Sequence, residues 1–458
     1  MESPLPSTEE PVSPGKPSKY LICRPERVGI LDIFRLLFTS RRFLDYHSFV
    51  QSSSPPISAE LEAAIPEPNV IISAMLLKIL HVLRKPLALL GRMVEYCLNL
   101  LCLNGGYMGF LRNIVTALPK EYLPLLDLQE LGDDVTPLDL TTMASKIAYE
   151  NPAYIREAVD NHLKMNFVEF FNCWNKFLEA KSTQAFVFTD KKEDARWIFL
   201  VFRGTELFDA MDWSADLDIS RIHINDKMGS VHLGFMKALG LQDETDFAKG
   251  FPIDDAGTED KPLAYYAIRT ALSKLLEEHP RATIVLTGHS QGGALAVLFS
   301  ALLAYHGRRD LLERIEGCTF AAYMDSMVSL KYYRTVYRHD IVPRIPFDQP
   351  PIFNFRHFGV CIYYEGWYTR KMAGDDEPNP NFFDWSFLGE MFRGSWDDLS
   401  DALDAAKKEG KEFEEGWISL FLRLYGLTFP GMAFHSPRDY LNAARLSKVA
   451  IKDDADLL

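Results

Sequence analysis

Residues Thr283 to Ala294 read TIVLTGHSQGGA. The strand-forming run Thr283, Ile284, Val285 and Leu286 breaks at Gly288-His289-Ser290-Gln291-Gly292. Beyond Ala294 the apolar residues Leu295, Leu298 and Leu302 recur at helical spacing. A Gly-x-Ser-x-Gly segment between a buried strand and a helix is a nucleophile elbow: the serine sits in strained backbone at the strand tip, and the flanking glycines prevent side-chain clashes. Ser290 is the candidate nucleophile, with Gly288 and Gly292 as the elbow glycines. The unit predicts an α/β fold with a mostly parallel central sheet flanked by helices.

A serine hydroxyl needs a base and an orienting acid, and in hydrolases built on such an elbow these follow in the order Ser, then Asp or Glu, then His. Downstream lie His306, His339, His357 and His435. His306 follows the elbow's own helix and is expected to face solvent, and His357, between Arg356 and Phe358, reads as a strand residue. His435 comes late, in the loop-to-helix segment Pro430 to Pro437, and is the candidate base. For the acid, Val336 to Pro343 reads as a short strand ending in a polar turn at Asp340. Asp340 leads, with Asp325, Asp348 and Asp439 as rivals.

Several blocks together resemble the class 3 lipases of the α/β-hydrolase fold, among them the plant oil-body triacylglycerol lipases. They are Val201-Phe202-Arg203-Gly204-Thr205, Asp212-Trp213 with Asp216, Val231-His232-Leu233-Gly234-Phe235 and Thr287 to Gly293. Asp340 to Pro346, Phe355 to Gly359 and His435-Ser436-Pro437 follow, so the resemblance covers roughly residues 140 to 446 in the family's order. It implies that Thr205 and the backbone N–H of Gln291 form the oxyanion hole, where each donor contributes on the order of 10²–10³ in rate. It also implies a lid after Thr205, with Leu207, Phe208, Met211 and Trp213 on its apolar side. His232, between Val231 and Leu233, reads as a core histidine outside the site. Two departures stand out: Gln291 occupies a position more often leucine, and Thr319 to Asp325 replaces a Thr-Phe-Gly-x-Pro-Arg segment.

Composition bounds the partners. The 458 residues hold 49 basic and 63 acidic side chains, a net charge of −14, which argues against nucleic acid. The six cysteines are scattered without a Cys-x-x-Cys pair, which argues against a disulfide framework or zinc site. No cofactor or metal is called for.

Residues 1–18 have the composition of a disordered tail and lack the apolar core of a signal peptide. Residues 19–130 read as an N-terminal helical module, residues 131–446 as the catalytic domain and residues 447–458 as an acidic tail. Within the module, a short helical segment is expected near Val28 to Ser40. Val70 to Leu111 is rich in leucine, isoleucine, valine and methionine, but Lys78, Arg84, Lys85, Arg92 and Glu95 interrupt it, and Pro86 would break it into two pieces. A spanning helix wants about 20 clean apolar residues. A non-spanning lipid-surface anchor fits better, and a buried helical hairpin is the other reading. An insertion at 369–429 opens with a loop over Met372 to Asn381 and continues with the aromatic stretches Asp384 to Trp396 and Gly416 to Leu427, on either side of a charged helix over Asp397 to Glu415.

Residues and resemblance together predict a serine lipase acting on triacylglycerol at a lipid-droplet surface, on its cytosolic face, without a cofactor. A phospholipid or galactolipid acylhydrolase is the near alternative. A catalytically silent lipase-like scaffold is the alternative from another class, favoured by the altered 319–330 segment.

Overall fold

The computed structural model of the chain describes residues 20–23, 50–52, 137–205, 221–225, 229–241, 251–255, 257–315, 332–344, 359–373, 385–408 and 434–447, with residues 27, 29, 31, 78 and 82 singly. In chain order the first elements are β1 (Tyr20–Cys23), β2 (Val50–Ser52), α1 (Pro137–Ile147), α2 (Pro152–Glu157), β3 (Asn166–Asn175), β4 (Ala180–Thr189) and β5 (Trp197–Phe202). Then come β6 (Arg221–Asn225), β7 (Gly229–His232), α3 (Leu233–Ala238), β8 (Gly257–Thr258), β9 (Lys261–Pro262), α4 (Ala264–Glu278), β10 (Thr283–Gly288), α5 (Gln291–Tyr305) and α6 (Arg309–Leu312). The chain continues through β11 (Tyr333–Tyr337), β12 (Val360–Gly366), β13 (Thr369–Ala373), α7 (Trp385–Lys408) and α8 (Pro437–Leu446).

The sheet that carries the elbow runs in the order β10-β5-β4-β3. Strand β10 pairs with β5 in parallel over its whole length, whereas β5 with β4 and β4 with β3 are antiparallel. A second sheet, β11-β12-β13, repeats the mixture with one parallel and one antiparallel pair. Among the described strands the pairing is thus mixed rather than mostly parallel. The cause is connection length. Only residues 176–179 join β3 to β4, too few for a crossover, so the two must turn back on each other. Asn175 builds that turn by accepting the backbone N–H groups of Phe177 at 2.9 Å and Leu178 at 3.2 Å.

Both faces of the elbow sheet are buried, and alternation along its strands divides the core in two. Ala185, Val187, Ile198, Leu200, Phe202, Ile284 and Leu286 point to one side, where Leu272 of α4 and Leu295, Phe299 and Leu302 of α5 cover them. Phe186, Phe188, Phe199, Val201 and Val285 point to the other, against Leu140, Met143 and Ile147 of α1 and Ile155 of α2. The apolar strand sequences of β5 and β10 are what a sheet covered on both faces requires. A third cluster joins Tyr337, Ile362, Tyr364 and Trp367 to Phe434 and to Tyr440, Ala443 and Ala444 of α8.

The N-terminal part of the chain contributes strands. β1 lies between β2 and β6, antiparallel to both, so residues of the 19–130 stretch extend the sheet of β6 and β7. Of Val70 to Leu111, Lys78 and Val82 are described, both helical, with Val82 exposed; the rest of that stretch, most of Val28 to Ser40 and the tails at 1–18 and 448–458 lie outside the described residues. Among the described residues no helix is long and apolar enough to cross a membrane.

The insertion differs from its sequence reading at both described ends. Met372 and Ala373, expected in a loop, complete β13. The aromatic stretch Trp385 to Trp396 and the charged residues after it form one continuous helix, α7, with Phe392 and Trp396 exposed. Residues 374–384 and 409–433, including the second aromatic stretch, lie outside the described residues.

Candidate active site

Strand β10 delivers the elbow. Ser290 has φ 59° and ψ −131°, a backbone conformation that L side chains rarely adopt and that costs about 1–3 kcal/mol. The surroundings enforce it. A Cβ on Gly288 would lie 2.4 Å from the carbonyl carbon of Gly292, and one on Gly292 would lie 2.3 Å from the Phe202 carbonyl oxygen. Both positions therefore admit only glycine. Gln291 and Gly292 open α5, which sets the positive end of a 15-residue helix directly behind the serine.

The loop after β5 presses on the same turn. A Cβ on Gly204 would lie 2.3 Å from both the His289 carbonyl oxygen and the Tyr149 hydroxyl, and 3.1 Å from Ser290 Cβ. Arg203-Gly204-Thr205 thus runs beside Ser290, with Thr205 buried. The lid candidates Leu207, Phe208, Met211 and Trp213 lie outside the described residues.

Asp340 and His435 meet. Asp340 ends the turn after β11, fully out of solvent, and His435 sits two residues before α8. His435 Nδ1 donates to Asp340 Oδ2 at 2.7 Å across 95 residues of chain. The same Oδ2 accepts the Tyr440 hydroxyl at 2.6 Å, and Oδ1 accepts the Val342 backbone N–H at 2.9 Å. Burial, and then the Asp340 charge, hold the Tyr440 phenol well above its ordinary value, so it stays protonated and donates at neutral pH. Arg344, itself fully buried, ties the turn from behind, donating from Nε to the Asp340 carbonyl at 2.9 Å and from Nη2 to the Arg338 carbonyl at 3.0 Å.

The His435 imidazole stacks on the ring of His289, the residue immediately before Ser290, with centroids 4.4 Å apart and planes inclined by 28°. The elbow and the Asp–His pair therefore form one constellation. Of the sequence-derived residues, Ser290, Asp340, His435, Gly288 and Gly292 converge here, with Thr205 and Gln291 on the two segments that flank the serine.

Of the alternatives raised by the sequence, three histidines and one rival acid fall among the described residues. His306, expected toward solvent, is half-buried: its Nδ1 pairs with the Tyr265 hydroxyl at 2.7 Å and its Nε2 with the Phe251 carbonyl at 3.1 Å, because α5 ends against the loop at 251–255. His339 packs on Phe434 and faces Gly394 of α7. His232, read from the sequence as a core histidine, is only half-buried and stacks on Phe235. Asp439 is buried at the start of α8. His357, Asp325 and Asp348 lie outside the described residues, as does the altered segment at 319–330.

Sequence reading missed Tyr440, Tyr149 and His289 as members of the site. Tyr440 lies five residues beyond His435 and so was within reach of inspection. Tyr149 was not, since its contact partner His289 is 140 residues away. Among the described residues no cluster could hold a metal ion. Cys173 and Cys361 are buried, and burial pushes the Cys173 thiol up to about 12.

A buried parallel strand, a strained serine and a helix, with an Asp–His pair against the turn, make an α/β-hydrolase fold with a candidate active site at the strand tip. The family model for class 3 lipases matches residues 199–349. The triacylglycerol lipase OBL1 of Arabidopsis thaliana is 35% identical over 95% of this chain and 96% of its own length, and that of Nicotiana tabacum is 34% identical over 96% of each. The lipase of Rhizomucor miehei is 29% identical over 36% of this chain and 41% of its own. The chain belongs to the class 3 lipase family and is a carboxylic ester hydrolase.

Proposed function

We propose that this chain is a serine lipase that hydrolyses triacylglycerol esters through Ser290, His435 and Asp340. The observation that carries the reading is the 2.7 Å Asp340–His435 hydrogen bond, made in a ring stack with the neighbour of the strained Ser290. With Nδ1–H committed to Asp340, the neutral imidazole offers the lone pair of Nε2, an atom that makes no hydrogen bond among the described residues.

His435 Nε2 takes the Ser290 proton as Oγ attacks the ester carbonyl. The imidazolium so formed is held against the Asp340 carboxylate, and the tetrahedral oxyanion is met by the backbone N–H of Gln291 and by Thr205. His435 then gives its proton to the departing glycerol oxygen. Water, deprotonated by the same nitrogen, attacks the acyl-Ser290 ester and releases the fatty acid. Each step moves one proton between oxygen and Nε2, so no cofactor enters.

Triacylglycerol is favoured by the names of the relatives matched along the whole chain and by the apolar, positively charged stretch at 70–111. That stretch suits a lipid-droplet monolayer, which has no second aqueous side to reach, and we assign it the role of anchor on the cytosolic face. The segment at 207–213 serves as lid. Deleting residues 70–111 is expected to abolish co-flotation with droplets; unchanged flotation would refute the anchor.

Fatty-acid release from emulsified triolein, phosphatidylcholine vesicles and galactolipid vesicles, by the wild type and by Ser290→Ala, tests the function. Triolein is expected to be the best substrate, with activity lost in the variant. Preference for phospholipid or galactolipid would instead favour the acylhydrolase, and inactivity of folded protein on all three would favour a silent scaffold.

A further inference from the structure

The hydrogen bond to Asp340 fixes one atom of the catalytic imidazole but leaves the ring free to tilt about the N–H···O line. Tilting swings Nε2, the atom that must meet Ser290. We propose that His289, locked by Tyr149, is a positioning residue that sets the ring plane of His435.

Contacts with three residues carry this. His289 stacks face to face on His435 at 4.4 Å. Its own ring is pinned by the bond between Nδ1 and the Tyr149 hydroxyl at 2.8 Å, from the turn just after α1. Two tyrosine edges then brace it, Tyr149 at 5.8 Å and 68° and Tyr440 at 5.6 Å and 73°. Because His289 and Ser290 are consecutive residues of one strained turn, fixing His289 sets nucleophile and base relative to each other.

The charge state of His289 suits the role. Burial, and then the proximity of His435, hold it well below the usual histidine value, so it stays neutral. Among the described residues, the ionisable groups facing it are Tyr149, His435 and Tyr440, with Asp340 one hydrogen bond further on. A neutral aromatic face attracts the imidazolium that forms on His435 during attack, whereas a charged ring there would repel it. Gly204, whose missing side chain leaves room for the Tyr149 hydroxyl, is part of the same device.

The inference rests on the triad reading above. The test measures kcat and KM on a soluble p-nitrophenyl ester for the wild type, His289→Ala, His289→Phe and Tyr149→Phe, with thermal midpoints to verify folding. His289→Ala should lower kcat on the order of 10- to 100-fold, the cost of misplacing a reacting atom by about 1 Å, with KM within about threefold. His289→Phe keeps the stack and should recover most of that loss. Tyr149→Phe should lower kcat by roughly three- to tenfold, and it carries the test if the alanine variant does not fold. Overturning results are unchanged kcat in His289→Ala or in Tyr149→Phe, or a His289→Phe enzyme no better than the alanine variant. Ser290→Ala and His435→Ala separate the two claims: activity surviving in either overturns the triad and this inference together, whereas inactive triad variants beside a fully active His289→Ala overturn the inference alone.

Discussion

Tyr440→Phe removes one hydroxyl and leaves the ring shape unchanged, so it isolates a single hydrogen bond to the buried acid. Asp340 has no solvent contact, and its Oδ2 is shared between His435 at 2.7 Å and Tyr440 at 2.6 Å. A hydrogen bond to a buried charge contributes about 1.5–3 kcal/mol. The same hydroxyl also accepts the Tyr337 backbone N–H at 3.2 Å, in a fully buried strand end, and losing that acceptor adds about 1 kcal/mol or more. The sum, about 3 kcal/mol, falls mostly on stability, because both bonds exist in the resting enzyme as well as in the transition state and so count as uniform binding. For a domain of roughly 300 residues it corresponds to a fall in Tm of about 4–5 °C. The catalytic part is the loosened carboxylate, which should lower kcat by about tenfold, near 1.4 kcal/mol, with KM unchanged. Differential scanning fluorimetry and hydrolysis of a soluble ester read the two parts separately. A Tm within 2 °C of wild type together with unchanged kcat would show that Tyr440 does not hold Asp340, and would refute the reasoning.

Further outcomes follow from the same geometry. Gly292→Ala brings a methyl group to 2.3 Å from the Phe202 carbonyl, so esterase activity should be lost and urea unfolding should show a cost of about 1–3 kcal/mol. His289 stays neutral when folded but takes a proton below about 6.5 when unfolded. The unfolded state then binds more protons, so stability is full above that pH and is lost as pH falls, by at most about 1.4 kcal/mol per unit. Urea midpoints at pH 7.5 and 5.5 read this loss, and His289→Phe should remove the part that belongs to His289. Asp398→Ala takes the carboxylate away from the Tyr337 hydroxyl at 2.9 Å and from the Arg338 guanidinium at 3.5 Å. Because Asp398 is buried, this should cost about 3–5 kcal/mol in urea unfolding and detach α7 from the acid-bearing turn.

What could be read in the sequence was what is local in the chain. The elbow occupies one strand, one turn and one helix, so periodicity and two glycines were enough to find it, and the positive φ of Ser290 is the strain they foretold. Asp340 and His435 were found by chain order, since each ends a short recognisable segment. Contacts between distant segments left no such trace. Nothing in AYEN or GHSQG says that Tyr149 bonds His289, because that pairing depends on α1 packing beneath β10. The antiparallel partner of Tyr20–Cys23 lies some 200 residues away at Arg221–Asn225, and register between such short strands is set by the surrounding fold. The misreading of His306 has a related cause: helical spacing gave its place on α5, but the loop from Phe251 that covers it comes from another part of the chain.

The most direct test of the central claim is mass-spectrometric mapping of a p-nitrophenyl alkylphosphonate adduct on the wild type and on His435→Ala. Attack by the activated serine expels p-nitrophenolate and leaves a stable phosphonyl ester, so the wild type should carry a single adduct on the peptide that contains Ser290. His435→Ala should label slower by on the order of 10³-fold or more. An adduct on another residue, or labelling of Ser290 at the same rate without His435, would contradict the account.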